Sequence, residues 1–234
     1  MRRSAPSDGT AALLKRIPLL EGLQPAVLER IAGYLHLRNF ERGQYVLRKG
    51  NPGDQLLFLL SGQLQVVDVT QDGRDVGLNF LEPGDYFGEL SVIDGLPRTA
   101  SVVATAHSQI AVLGRAHALD LFFHQPLIAE RVLTRMAKAI RKASDYRSIL
   151  ALPNAFQRVY ALLDQMKTVA PGGLTIIERL PTQQEIAIMI NTSRETVSRA
   201  MQILNQKGIV EKDLKRLIVR KPDVLKKAIT QQDF

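Results

Sequence analysis

Between Asn39 and Leu90 the chain repeats one texture: apolar runs of four to six residues cut by glycine in turn-forming settings such as NPGD, QDGR and EPGD. Gly43, Gly53, Gly62, Gly73 and Gly84 recur at intervals near ten residues. Short strands at this spacing predict a compact β-barrel or roll. The same texture resumes at TASVVATAHSQIAVLGR, so the stretch Gly88 to Pro97 interrupts a sheet without ending the domain. Upstream, LLKRIPLLEGLQPAVLERIAGYL carries helical spacing broken at Pro18 and Pro25, which predicts short helices. Downstream, a helix is expected from about Leu119 to Leu150, broken once at Pro126 and ended by Pro153. The expected class is α+β: residues 1–118 a β-roll with flanking short helices, 119–151 a long helix and hinge, 152–234 a second domain.

Along the long helix Ala129, Val132, Met136, Ala139, Ala143, Tyr146 and Leu150 follow one another by alternating steps of three and four, the seam of a coiled coil. A homodimer is the simplest arrangement that this seam serves. Arg131, Arg135, Lys138, Arg141 and Lys142 are read as the solvated face of that coil, with service to a second ligand phosphate as the alternative.

The second domain contains LPTQQEIAIMINTSRETVSRAMQILNQKGIVEKDLKRLIV. Thr182 and Glu185 form a T-x-x-E capping box that opens one helix, Asn191 and Thr192 break it, and Ser193 caps a second that Gly208 stops. Val197, Ala200, Met201 and Leu204 make its apolar stripe. Arg194, Glu195, Ser198, Arg199 and Gln202 share the opposite face, beginning at the amino terminus of the helix. Two helices, a three-residue turn and polar residues at the start of the second describe a helix-turn-helix DNA reader. IVEKDLKRLIV then reads as a β-hairpin wing whose tip carries Lys212, Lys215 and Arg216 toward phosphates. Arginine offers two parallel donors to O6 and N7 of guanine, and a carboxylate such as Glu195 accepts from the N4 amino group of cytosine.

In GDYFGELSVIDGLPRTASV a helix starting near Phe87 or Gly88 offers unpaired backbone N–H groups to an anion. Arg98 can present a fork to a phosphodiester and Thr99 adds a hydroxyl. Glu89 accepts hydrogen bonds only, so beside an anion it suits a ligand that also carries hydroxyl donors, as a ribose does. The bland alternative is a Glu89–Arg98 ion pair.

The order of roll glycines, F-G-E-L followed by P-R-T-A, the long helix and S-R-E-T-V-S-R resemble the Crp/Fnr superfamily of bacterial transcription regulators over about residues 17 to 221. The resemblance implies a cyclic-nucleotide-binding roll of the double-stranded β-helix or jelly-roll type, a long dimerisation helix and a winged helix-turn-helix. It places Gly88 and Glu89 at the ribose and sugar-phosphate edge, with Leu90 in the same binding segment, and Arg98 and Thr99 at the phosphate. Arg194, Glu195 and Arg199 fall at base-reading positions, with Ser198 on the same face. Thr182, Gln184, Ser193, Thr196, Lys215 and Arg216 are assigned to DNA phosphates. Members that respond to cyclic AMP set adjacent Thr and Ser on the long helix against the adenine, where this chain has Ala143 and Ser144. Cyclic AMP is the first expectation for the effector, with cyclic GMP or cyclic di-GMP as rivals. The implied function is a homodimeric, cytoplasmic regulator of transcription, activating by family default, on an inverted repeat with half-sites resembling TGTGA. The loop VAPGGLTIIERL lies where family members contact RNA polymerase.

Composition supports this reading by exclusion. The 234 residues carry a formal charge of +8, which favours a polyanionic partner. Zero cysteines remove disulfides, thiolate catalysis and the cysteine-ligated clusters of oxygen-sensing relatives. His36, His107, His117 and His124 are scattered without ligand spacing, so neither haem nor metal is expected. A cyclic-nucleotide phosphodiesterase or other enzyme would need metal ligands or a placed base beside the phosphate; no catalytic residue is assigned. No stretch is long and apolar enough for a membrane span.

Overall fold

In the computed structural model, which describes residue 14 and residues 16–69, 75–214 and 216–230, the strands of the amino-terminal half are β1 (His36–Phe40), β2 (Tyr45–Leu47), β3 (Gln55–Ser61), β4 (Leu64–Val69), β5 (Asp75–Leu81), β6 (Tyr86–Phe87), β7 (Ser101–Ala104) and β8 (Ser108–Gly114). The QDGR turn at 71–74, Lys215 and the polar first ten residues lie outside the described residues. Two antiparallel four-stranded sheets form, in the orders β1-β8-β3-β6 and β2-β7-β4-β5. This is the roll that the glycine spacing predicts.

Strand β3 reads QLLFLLS, apolar at nearly every position, because both of its faces are covered. Leu57 and Leu59 enter the roll interior with Phe40, Leu64, Phe87, Val102, Ile110 and Val112. Leu56 and Phe58 project the other way, into a core shared with Leu28, Ile31, Val92, Leu121 and Ile128. Its partner β8 divides in the same manner, with Ile110 and Val112 inside and Ala111 and Leu113 outside. Period-two alternation is therefore present, but no polar residue marks it. The turn between β3 and β4 is set by Gly62, whose φ of 90° is left-handed. Ser108, fully buried beside it, accepts the Gln63 backbone N–H at 3.1 Å and donates to Ala106 O at 2.8 Å.

Helices of this half are α1 (Pro25–Tyr34), α2 (Glu89–Asp94), α3 (Arg115–His124) and α4 (Pro126–Leu150), with a 3-10 turn at Pro18–Leu20. The prolines punctuate as expected, although α3 begins four residues before Leu119. The chain divides into two compact units, 1–137 and 138–234. The division falls within α4 rather than at Pro153, because Ile149 belongs to the second core and Tyr146 packs against it. In that second unit follow α5 (Ala155–Met166), β9 (Thr168–Val169), β10 (Thr175–Ile177), α6 (Gln183–Met189), α7 (Arg194–Gln206), β11 (Val210–Asp213), β12 (Arg216–Val219) and α8 (Pro222–Ala228). The sheet order is β11-β12-β10-β9.

The expected seam on α4 needs correction. Val132 is buried in the core of the first unit and Met136 packs against it, while Tyr146 packs on the second core. Only Ala139, Ala143 and Leu150 of that set are exposed, and Ala129 is half-buried. A three-four spacing marks an apolar helix face without saying whose core it meets. The most exposed large apolar side chains of α4 are Leu133, 66% exposed, and Ile140, 71% exposed, one step round the helix. The basic face needs a similar correction. Arg131 donates to Leu19 O and Glu21 O at 2.9 and 2.5 Å, and Arg135 to Tyr86 O at 2.7 Å. These two guanidiniums rivet the start of α4 to the first unit, while Lys138, Arg141 and Lys142 remain exposed.

Candidate ligand site and nucleic-acid interface

In the first unit the FGEL segment runs from β6 into α2 through Gly88, whose φ of 81° makes it a left-handed cap; Gly95, φ 74°, closes the six-residue helix. Arg98 is the centre of the arrangement. Although charged, it is only 4% exposed, and its guanidinium spans two elements: Nη1 donates to Gly88 O and Nη2 to Gln55 O, each at 2.8 Å. Its backbone is fixed against the 50–51 turn, with Arg98 N donating to Asn51 O and Gly50 N donating to Arg98 O, both at 2.9 Å. Nε is buried and has no hydrogen-bond partner. Burial pulls the pKa of this guanidinium below the ordinary arginine value, with Asp54 and then Glu89 opposing the shift. A buried cation with an unspent N–H suits an anion that enters from outside the chain.

Glu89 makes no hydrogen bond or ion pair among the described residues, so Arg98 is held by backbone carbonyls rather than by the Glu89–Arg98 pair of the bland alternative. Glu89 and Gly88 are half-buried, while Leu90 and Thr99 are exposed. The fork pictured for Arg98 is likewise corrected: both its terminal nitrogens already hold carbonyls, leaving Nε–H and the second hydrogens of the terminal amines for a ligand. Ala143 and Ser144 are exposed residues of the second unit.

Several residues of this site leave little trace in the sequence. Gly53 is read as a turn glycine, yet its role is close approach: a Cβ there would stand 2.6 Å from Ser91 Oγ and 3.0 Å from Arg98 Nε. A Cβ on Gly88 would stand 2.5 Å from Arg98 Nη1. Tyr86, two residues before Gly88, is buried with its hydroxyl unpartnered, and the Arg135 guanidinium lies 4.0 Å over its ring. Burial pushes the Tyr86 phenol up, against the lowering effect of Arg135. The combination of Tyr86 with Arg135 joins residues 49 apart in sequence, which no local motif encodes.

In the second unit the reader is built as its caps predict. Thr182 and Glu185 form the reciprocal box, with Glu185 N donating to Thr182 Oγ1 at 3.2 Å and Thr182 N to Glu185 Oε2 at 2.8 Å. Asn191, φ 50°, takes the left-handed conformation at the turn, and Thr192 N returns to Ala187 O at 2.9 Å. Ser193 caps α7 by accepting from Thr196 N at 3.1 Å. Val197, Ala200 and Leu204 are buried with Ile186, Ala187 and Ile190. Arg194, Glu195, Ser198, Arg199 and Gln202 are exposed on the other side. The Glu195 carboxyl lies below its ordinary pKa, chiefly through its own backbone N–H and the Ser193 hydroxyl, so it is an ionised acceptor. Thr182 and Gln184 are exposed at the start of α6, and Thr196 is half-buried. Arg216, expected to face phosphate, is instead clamped across the tip end of the hairpin to Asp213, with Nε to Oδ2 at 2.7 Å. The two residues are the register pair next to the turn, so this fork closes the tip end of the hairpin. A second rung nearer its base, Arg220 Nε to Glu211 Oε2 at 2.9 Å, stiffens the same hairpin.

Among the described residues no cluster of His, Asp and Glu could hold a metal ion, and no helix is long and apolar enough to cross a membrane. The histidines have separate local settings: the His117 ring stacks on Tyr34, while His107 meets Glu41 and His124 meets Asp120.

Two domain families match this chain: a cyclic nucleotide-binding domain over residues 37–125 and a Crp-like helix-turn-helix domain over 157–228. A Mycobacterium tuberculosis protein named CRP-like cAMP-activated global transcriptional regulator is 29% identical over 211 residues, 88% of this chain and 94% of its own length. The cyclic AMP receptor protein of Thermus thermophilus is 31% identical over 198 residues, 84% of this chain and 89% of that protein. The solved Thermus thermophilus catabolite activator protein matches 91% of this chain and 98% of that one, with a TM-score of 0.54 at 29% identity. These relatives are regulators rather than enzymes. With a buried arginine behind the FGEL turn and a capped reader helix carrying a polar face, the chain belongs to the Crp family, cyclic-nucleotide-responsive transcription regulators that bind DNA through a helix-turn-helix domain.

Proposed function

We propose that this regulator works as a homodimer whose effector is cyclic AMP and whose target is an inverted repeat with half-sites resembling TGTGA. The observation that carries the ligand half is Arg98: a buried guanidinium whose Nε–H has no hydrogen-bond partner, in the electrostatic field of a Glu89 carboxylate for which no hydrogen bond or ion pair is found among the described residues. One accepts nothing and the other donates nothing, so together they fit a cyclic phosphate joined to a ribose hydroxyl. The names of the two relatives favour cyclic AMP among such ligands. Leu133 and Ile140, exposed at helical spacing with Ala137, supply the apolar stripe through which two copies pair in this reading. Ligand binding shifts the population toward the conformation that spaces both reader helices about one DNA turn apart. Cytoplasmic activation of transcription, with the loop at 169–180 against polymerase, completes the proposal.

The test is isothermal titration calorimetry with cyclic AMP, cyclic GMP and cyclic di-GMP, on the full chain and on Glu89→Ala. Micromolar or tighter binding of cyclic AMP, weakened about a hundredfold in the variant, is the expected result. Preference for cyclic GMP or the dinucleotide would overturn the base assignment, for which Ala143 offers no side-chain polar group. Absence of binding by all three would overturn ligand control in this chain.

On the DNA side, Arg199→Ala is expected to relax discrimination at a single base pair by about 1–3 kcal/mol, read by binding to a panel of singly substituted duplexes. Uniform weakening on every duplex would move Arg199 from the base-reading to the phosphate-positioning set.

A further inference from the structure

The wing of the second unit ends in a turn that its sequence does not favour. Asp213 and Arg216 are the last register pair of the hairpin, so Leu214 opens its two-residue turn. Such loops require left-handed backbone and are best filled by Asn, Asp or Gly. Leu214 sits there with φ 53°, one of two non-glycine residues with positive φ among those described. A branched apolar side chain in this conformation is strained relative to glycine, because its Cβ crowds the following carbonyl oxygen. No packing offsets that cost: the side chain is 89% exposed, the highest among the large exposed hydrophobics described.

What surrounds the tip identifies the partner. Lys212 and Arg216 are exposed on either side. The hairpin is braced by two Arg-carboxylate rungs, so the tip is held rather than trailing. It is also joined to the reader, because Leu204 of α7 shares one core with Ile209, Val210, Leu217 and Val219. A duplex engaged by the polar face of α7 therefore meets a cationic wing fixed to the same core.

We propose that Leu214 is a DNA-contacting residue, an apolar tip that rests against the deoxyribose and base edges of the minor groove flanking the half-site. The inference rests on the DNA-reading role of this domain. A lysine such as Lys212 meets phosphate and releases a counterion, whereas a leucine on sugar carbons removes apolar surface from water and releases none. The contact contributes affinity that salt does not titrate.

The experiment uses the full chain with Leu214→Asn and Leu214→Gly, and a duplex selected by the wild-type chain from a random-sequence pool. Urea unfolding and DNA affinity are measured in parallel, the latter as a function of salt. Both substitutions relieve the left-handed strain, so the unfolding midpoint is expected to rise while DNA affinity falls about tenfold with an unchanged salt slope. Leu214→Met keeps the apolar tip and is expected to retain most of the affinity. Equal or tighter DNA binding by the Asn and Gly variants would overturn the proposal, as would a loss accompanied by a shallower salt slope, which would mark an electrostatic role for the tip. Arg199→Ala in the same assay separates the two readings: it loses base discrimination if α7 reads DNA, whatever Leu214 does.

Discussion

Arg98→Lys lowers cyclic-nucleotide affinity by at least about a hundredfold and destabilises the roll at the same time. Lysine keeps the charge but brings a single nitrogen where arginine brings three. In the native chain two of those nitrogens are occupied by Gly88 O and Gln55 O, and the third is free in a buried setting. An ammonium has three N–H donors but all on one nitrogen, so it cannot reproduce the spread with which the guanidinium holds two carbonyls and still points an N–H at the ligand. Each charge-assisted hydrogen bond lost to the ligand is worth roughly 1.5–3 kcal/mol, so two account for the hundredfold figure or more. A carbonyl stranded without its donor costs a further 1–3 kcal/mol or so of folding stability. Calorimetry gives the first quantity and urea unfolding the second. Ligand affinity within a few-fold of the wild type would place the phosphate elsewhere than at Arg98.

The second large effect concerns the fold alone. Gly62→Ala is expected to cost at least about 3 kcal/mol, a large share of the 5–15 kcal/mol that holds a typical domain together. Two terms combine. With φ at 90°, any Cβ is strained by about 1–2 kcal/mol. The added methyl would also overlap the His107 carbonyl oxygen and the Ser108 hydroxyl, and stand 2.6 Å from Ser108 Cα. Backbone and a fully buried serine cannot step aside as a flexible side-chain end would. Gly43→Ala provides the comparison, because Gly43 has φ 87° but nothing within 4 Å of its Cβ position. It should lose only the conformational term. Equal urea midpoints for the two variants would mean that the β3–β4 turn can open at little cost.

Local chemistry was the legible part of this chain. The capping box at Thr182 and Glu185, the serine cap of α7 and the prolines at 18, 25 and 126 act within a few residues of themselves, so sequence spacing is enough to place them. The FGEL turn and Arg98 were also readable, though not how Arg98 is held. What spacing could not supply is partner identity across long separations. Arg131 reaches Leu19 over 112 residues, and a guanidinium bound to a backbone carbonyl leaves no matching side chain to notice. The α4 seam failed for a related reason: Val132 and Met136 obey a coiled-coil repeat, yet the same repeat serves a helix lying on its own core. Gly53 illustrates a third limit, since a glycine that admits Ser91 looks in sequence like one that bends a turn.

The buried Tyr86 gives the molecule an optical consequence. The chain has five tyrosines and no tryptophan, so its near-ultraviolet emission is that of phenols alone, undimmed by transfer to indole. Tyr34, Tyr45 and Tyr86 belong to the first unit and Tyr146 and Tyr160 to the second. One of these chromophores stands three residues before Glu89 with a guanidinium over its ring, while the other two of that unit lie against His117 and Arg48. Phenol emission therefore offers a label-free readout beside the proposed site, and a change in it on adding cyclic nucleotide is the expected result.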